Sequence, residues 1–241
     1  MDENTIEISE RGRELQPDAF DSLPPGLLGG REFILDKVAK KEIESFLINL
    51  PKNAKILDAG AGAGVEAAIM ESRGMKVVPL DLSRKMLAKI KKHAKLMKVE
   101  GHIGRRVQAD ILQLPFTEGT FDAVVCKDVF SMGCWADRVD ISSELMRVLK
   151  NEGRVLIMAE EAPDTIIFVD GLVRQGKERE LLDNLQEGEE IDLIRQIEFT
   201  EEYITRVLSS VGFQNINTKT EKKEVKKWLS DRLVSATAQK P

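Results

Sequence analysis

Lys55-Ile56-Leu57-Asp58-Ala59-Gly60-Ala61-Gly62-Ala63-Gly64-Val65-Glu66-Ala67-Ala68 is the stretch on which the fold turns. Its apolar opening reads as a strand, its three alternating glycines as a tight turn, and Glu66-Ala67-Ala68 as the start of a helix. A strand that runs through glycines into a helix can press bare backbone and a positive helix N-terminus against a ligand. The dinucleotide fingerprint asks for G-x-G-x-x-G. Here the third glycine arrives one residue early and Val65 stands where that glycine should be. Asp58, at the strand end, would repel a pyrophosphate but can hold up the loop or accept from a ligand's ammonium group.

The rest of the chain extends this unit. Before it, residues 1–30 are charged and then rich in Pro and Gly, an irregular arm, and apolar residues from Phe33 to Leu50 keep helical spacing until Pro51. After it, Lys76–Leu80 reads as a second strand ending at Asp81, and Ser83 as the N-cap of a helix with Met86, Leu87, Ile90 and Ala94 inside. Arg105–Ala109 is a short third strand closed by Asp110. Phe121–Cys126 is a near-continuous apolar run, as in a parallel strand buried on both faces. A helix over 136–150, a turn at Asn151-Glu152-Gly153 and a strand over 154–159 follow.

Strand and helix alternate to this point, which means parallel crossovers in an α/β fold with helices on both faces of the sheet. Residues 160–199 break the rhythm with scattered glutamates and read as a helical insertion. Thr200 then caps a helix to about Val211, and strands over 213–218 and 232–238 suggest a hairpin at the sheet edge. The organisation expected is an arm and lid helix over 1–50, a ligand-binding core over 51–160, a helical lid over 161–199, and a C-terminal helix and hairpin over 200–241.

Composition narrows the function. The 241 residues are 42% hydrophobic and 32% charged, which suits a globular chain with a real core. The net charge, 36 − 41 = −5, argues against broad binding to a phosphate backbone. Two cysteines, Cys126 and Cys134, make no disulfide framework, and two histidines without C-x-x-C spacing make no zinc site, so no metal is expected. No run approaches the ~18 apolar residues of a membrane span, and the acidic N-terminus is no signal peptide, so cytoplasm is the expected location.

In open α/β sheets the ligand lies at the carboxyl ends of the strands. The glycine loop, Asp81, Asp110 and Cys126-Lys127-Asp128 all fall there. A carboxylate after the second strand can accept from both ribose hydroxyls, and one after the third can accept from an adenine amino group.

Ile56-Leu57-Asp58-Ala59-Gly60, Asp81-Leu82-Ser83, the run Ala109 to Phe116, Phe121-Asp122-Ala123-Val124-Val125 and Met146-Arg147-Val148-Leu149-Lys150 resemble successive motifs of the class I small-molecule methyltransferases. These use S-adenosylmethionine, and the ubiquinone/menaquinone-biosynthesis type is the nearest group. The resemblance covers about residues 54–160 and 200–239. It implies a Rossmann-like, seven-stranded, mostly parallel sheet whose last strand, Val234 to Ala238, is inserted antiparallel. It implies that the Gly60 backbone and Asp58 hold the methionine end of the cofactor, Asp81 the ribose, and Asp110 with Ile111 the adenine, and that Ala61, Gly62, Leu82, Cys126 and Lys127 also line the cofactor. Asp128 and His102 are the candidate bases, and Phe130, Met132 and Trp135 candidate walls of an acceptor pocket. The chain departs from the family at Lys127-Asp128 and Ser131 to Trp135, where small polar residues and a later His are usual.

A small-molecule acceptor is the leading expectation. A second reading is RNA methylation or binding through the lysine-rich helix 83–98, although such a run reads first as a solvated face. A nicotinamide-dependent oxidoreductase is a third, disfavoured by the early glycine and Asp58.

Overall fold

The computed structural model describes residues 37–96, 105–130, 135–160, 167–169, 172–174, 199–222 and 232–241. The main-sheet strands are β1 (Lys55–Ala59), β2 (Lys76–Asp81), β3 (Val107–Gln108), β4 (Phe121–Lys127), β5 (Leu149–Glu160), β8 (Gln214–Lys222) and β9 (Arg232–Gln239). The helices are α1 (Lys37–Leu47), α2 (Val65–Ser72), α3 (Arg84–Leu96), α4 (Trp135–Val148) and α5 (Glu201–Ser210). The seven strands lie in the order β3-β2-β1-β4-β5-β9-β8. β1 to β5 pair in parallel, and β9 is antiparallel to both β5 and β8. The inserted antiparallel strand expected from the resemblance is therefore present.

Alternation along the strands separates two cores. Ile56, Ala123, Val125, Leu156 and Met158 join Ile43 and Phe46 of α1 and Ala67 and Met70 of α2. Leu57, Val124, Cys126, Val155 and Ile157 join Leu145 and Val148 of α4 and Ile204 and Leu208 of α5. Each such side chain contributes about 1.5–3 kcal/mol on burial. Exposed pairs such as Lys40 with Glu44 contribute about 0–1 kcal/mol, so the two apolar layers decide the fold.

Local signals explain the element ends. The Ser83 hydroxyl accepts from the N–H of Met86 at 3.1 Å, and that of Thr200 from Tyr203 at 3.1 Å, both as N-caps. β2 tolerates Pro79 because β3 reaches only Leu80 and Asp81. The missing N–H faces that bare side, where Glu71 Oε1 accepts from Val77 at 2.9 Å. α1 is fastened to the far edge: Lys219 of β8 donates to the buried Glu42 at 2.6 Å.

Three expectations change. β5 begins at Leu149 rather than Arg154, because Leu149 already pairs with Phe121 and the register shifts before Ala123. β8 runs to Lys222 where a polar connection was expected, since β9 supplies its backbone partners as far as Arg232. Within the expected helical insertion over 161–199, Ile167–Val169 (β6) and Leu172–Arg174 (β7) pair as antiparallel strands. The arm over 1–30 and the rest of that segment lie outside the described residues.

Candidate functional site

The glycine loop sits where strand order reverses, between β2 on one side of β1 and β4 on the other, which is the binding crevice of open α/β sheets. Gly60, Gly62 and Gly64 all have positive φ, at 80°, 50° and 81°. Two of them also need the missing side chain. A Cβ on Gly60 would stand 2.2 Å from Val129 Cγ2, and one on Gly64 2.8 Å from Ile90 Cγ1. A Cβ on Gly62 would meet nothing within 4 Å, so the middle of the loop presents bare backbone.

The N–H groups of Gly60 and Ala61 both donate to Leu80 O, at 2.9 and 2.8 Å. Ala61 is also buried, so these two residues offer a ligand carbonyls and a close surface rather than donors. Gly62 donates to Asp81 Oδ2 at 2.7 Å, and Ser83 donates to Asp81 Oδ1 at 2.8 Å. Asp81 thus ties the loop to the start of α3. Leu82 beside it accepts at its carbonyl from Gln108 Nε2.

Beneath the loop, Asp58 is 1% exposed, and its Oδ2 has no hydrogen-bond partner. Burial, and then the negative charges of Glu66 and Asp81, push its carboxyl well above the usual carboxylate range, against the N–H of Ala67 and the charge of Lys127. Cys126, the next strand over, is wholly buried, and burial together with Asp58 and Asp128 pushes its thiol up. It is no thiolate nucleophile.

At the end of β4, Asp128 has a left-handed backbone, φ 60°, and its N–H donates to Met158 O at 2.8 Å. That bend turns its carboxylate onto the ammonium of Lys127. The same ammonium lies 3.8 Å from Glu66 Oε1, in the first turn of α2. Sequence reasoning missed Glu66 and Val129 as parts of this site; both are brought in by tertiary contacts with residues some 60 positions away.

Asp110 is exposed, and its Oδ1 caps a turn by accepting from Leu112 at 2.9 Å, while Ile111 packs on the core. Phe130 is fully buried, with its ring 6.3 Å from Phe199 in an edge-on pair. Phe130, expected among the walls of an acceptor pocket, belongs to the buried core cluster on the α4 and α5 side of the sheet. His102 and Met132 lie outside the described residues, as does the side chain of Trp135. On α3, Leu87, Ile90 and Ala94 are buried while Lys85, Lys91, Lys92 and Lys95 are exposed. No helix among the described residues is long and apolar enough to cross a membrane.

Residues 57–157 match the family model described as a methyltransferase domain. The demethylmenaquinone methyltransferase of Thermus thermophilus is 34% identical over 136 residues, covering 56% of this chain and 58% of that protein. The ubiquinone/menaquinone biosynthesis C-methyltransferase of Citrifermentans bemidjiense is 29% identical over 51% of this chain and 52% of its own length. The chain therefore spans little more than half the length of these curated relatives. Among solved structures, magnesium protoporphyrin IX methyltransferase from Synechocystis PCC 6803, with bound S-adenosylhomocysteine, superposes with a TM-score of 0.65 at 21% identity, over 95% of this chain and 100% of that one. Phosphoethanolamine N-methyltransferase 2 of Haemonchus contortus, in complex with S-adenosylmethionine, gives 0.61 at 18%, over 85% and 53%. These two likenesses speak to the fold.

Proposed function

We propose, from a core whose residues 57–157 match the methyltransferase-domain model, that this chain binds S-adenosylmethionine and passes its methyl group to a small-molecule acceptor. The observation that carries the reading is the meeting of Gly62 with Asp81 at the switch point of the sheet. The residues present fit the group. Asp58 keeps a buried oxygen without a hydrogen-bond partner below the loop, and Gly62 leaves room above it. Glu66, Asp81 and Asp128 make a cleft that favours a sulfonium and an ammonium and disfavours a pyrophosphate.

In this reading Asp58, the Gly60–Gly62 backbone, Cys126 and Lys127 hold the amino-acid end. Asp81 and Leu82 take the ribose, and Asp110 and Ile111 the adenine. Bound there, S-adenosylmethionine supplies an electrophilic methyl group on a sulfonium. The chain contributes alignment: Asp81 fixes the loop in place, and the apolar floor of Ala59, Cys126 and Phe130 keeps water from beneath it. Asp128, half exposed at the cleft, is the carboxylate placed to take a proton from an acceptor that must lose one. The names of the curated relatives make quinone-ring acceptors the first to try. With only two cysteines, one of them a buried free thiol, we assign the enzyme to the cytoplasm.

Calorimetry against S-adenosylmethionine, its demethylated product and NAD tests the reading. Binding of the first two in the micromolar range is expected. NAD binding without either adenosyl ligand would sink it.

A further inference from the structure

Lys127 stands among carboxylates contributed by separate parts of the fold. Its ammonium pairs with Asp128 and lies 3.8 Å from Glu66 Oε1, and its charge acts on Asp58 below the loop. The Lys127 and Glu66 side chains are 16% and 18% exposed, so their interaction is screened less than a surface pair. Asp128 reaches the lysine only because its left-handed backbone, φ 60°, folds the side chain back along β4. Successive residues of an ordinary strand would point to opposite faces.

The amino-acid end of S-adenosylmethionine carries an ammonium and a carboxylate on one carbon. Asp58, Glu66 and Asp128 can accept from that ammonium, but each repels the carboxylate beside it. Of these four groups, Lys127 is the one that can take the carboxylate. We infer that Lys127 reads the carboxylate of the ligand, exchanging Glu66 and Asp128 for it when the cofactor enters. Lys127 keeps a carboxylate partner throughout, and the ligand's ammonium can take up one of the two carboxylates it gives up. The exchange leaves Asp128 without its lysine, free to face the ligand ammonium or the acceptor. Loading of the cofactor would then set the state of Asp128, and acceptor binding would follow cofactor binding.

The inference rests on the cofactor reading above and is tested apart from it. The probes are S-adenosylmethionine and decarboxylated S-adenosylmethionine, which keeps the sulfonium and ammonium and lacks the carboxylate. Calorimetry on the unaltered chain should find the decarboxylated ligand about 10- to 100-fold weaker, the worth of one charge-assisted contact. Lys127→Gln should weaken S-adenosylmethionine by a similar factor, move the decarboxylated ligand by no more than about threefold, and so erase the preference. Lys127→Arg keeps the cation and should keep the preference, which covers the case in which Lys127→Gln does not fold. Equal weakening of both ligands in Lys127→Gln, or a preference that survives it, overturns the role of Lys127. An unaltered chain that binds both ligands equally overturns that role alone; one that binds neither overturns the cofactor reading as well.

Discussion

Gly62 and Asp81 stand 19 positions apart in the chain and 2.7 Å apart in the fold, N–H to carboxylate, so that one side chain holds the ligand loop at its working height. The other Asp81 oxygen is committed to Ser83 at 2.8 Å. Asp81→Ala should therefore act twice. Two backbone donors are stranded, which costs about 1–3 kcal/mol of stability by urea unfolding, and the ribose contact is lost, which costs about 1–3 kcal/mol of cofactor affinity by calorimetry. A variant that is destabilised yet binds normally would make Asp81 a loop tie and nothing more.

The loop glycines should separate by mechanism. Gly60→Ala meets both a left-handed backbone and Val129 Cγ2 at 2.2 Å. Strain of about 1–2 kcal/mol adds to overpacking of about 1–3 kcal/mol. Gly62→Ala meets the strain alone, so its melting point should fall less, while a methyl on the open face should weaken S-adenosylmethionine. Equal loss of stability in the two variants would contradict the packing described.

Asp58 gives the unliganded chain a pH signature. Its folded-state pKa is raised above the unfolded value, near 3.8, by burial first and by Glu66 and Asp81 next. The folded chain thus holds the proton more tightly. That contribution is complete below the unfolded pKa and is lost as pH rises through the folded one. Asp58→Asn should flatten the slope above pH ~4 and raise the melting point at pH 8 by about 2–4 °C, the shift that ~1 kcal/mol makes in a chain of this size. A melting point at pH 8 that falls instead would mean that the charged form is the one the fold prefers.

The parts of this fold that show in the sequence are those whose cause is local. The apolar run of β1, the glycines, the caps at Ser83 and Thr200, and the two-faced run of β4 each state their own structure. What does not show has a distant cause. Leu149 reads equally as the last turn of α4 or the start of β5, and its pairing with Phe121 decides. The residues of β8, Gln-Asn-Ile-Asn-Thr-Lys-Thr-Glu-Lys, have no apolar alternation, and what holds them is β9 together with Glu42 and Glu201. An aromatic after a strand end, such as Phe130, has no periodicity to tell core from cleft. In the site, Asp58, Asp81 and the loop were legible from order along the chain; the link from Lys127 to Glu66 was not.

Asp128 carries a strain that substitution can read. Non-glycine residues pay for a left-handed backbone, Asp and Asn least. Asp128→Gly and Asp128→Ala both give up the Lys127 pair, but only Ala keeps a Cβ in the left-handed backbone, so Asp128→Ala should be the less stable of the two by about 1 kcal/mol. If the carboxylate takes the acceptor's proton, Asp128→Asn should lower kcat at saturating cofactor, beyond whatever the lost pair with Lys127 costs in stability and cofactor affinity. A kcat that Asp128→Asn leaves intact removes the base.

The position of β9 sets an order of events during synthesis. β8 precedes it in the chain yet can join the sheet only through it, since β9 lies between β5 and β8. A nascent chain that has emerged as far as β8 therefore has β1 to β5 ready to assemble and Arg154–Glu160 of β5 with no neighbour on one side. For that interval the half-built sheet offers another chain an apolar edge, the usual route to mispairing. Closure waits for contacts such as Ala159 with Val234, far apart in sequence, so the slow and vulnerable stage of folding is the arrival of this one strand.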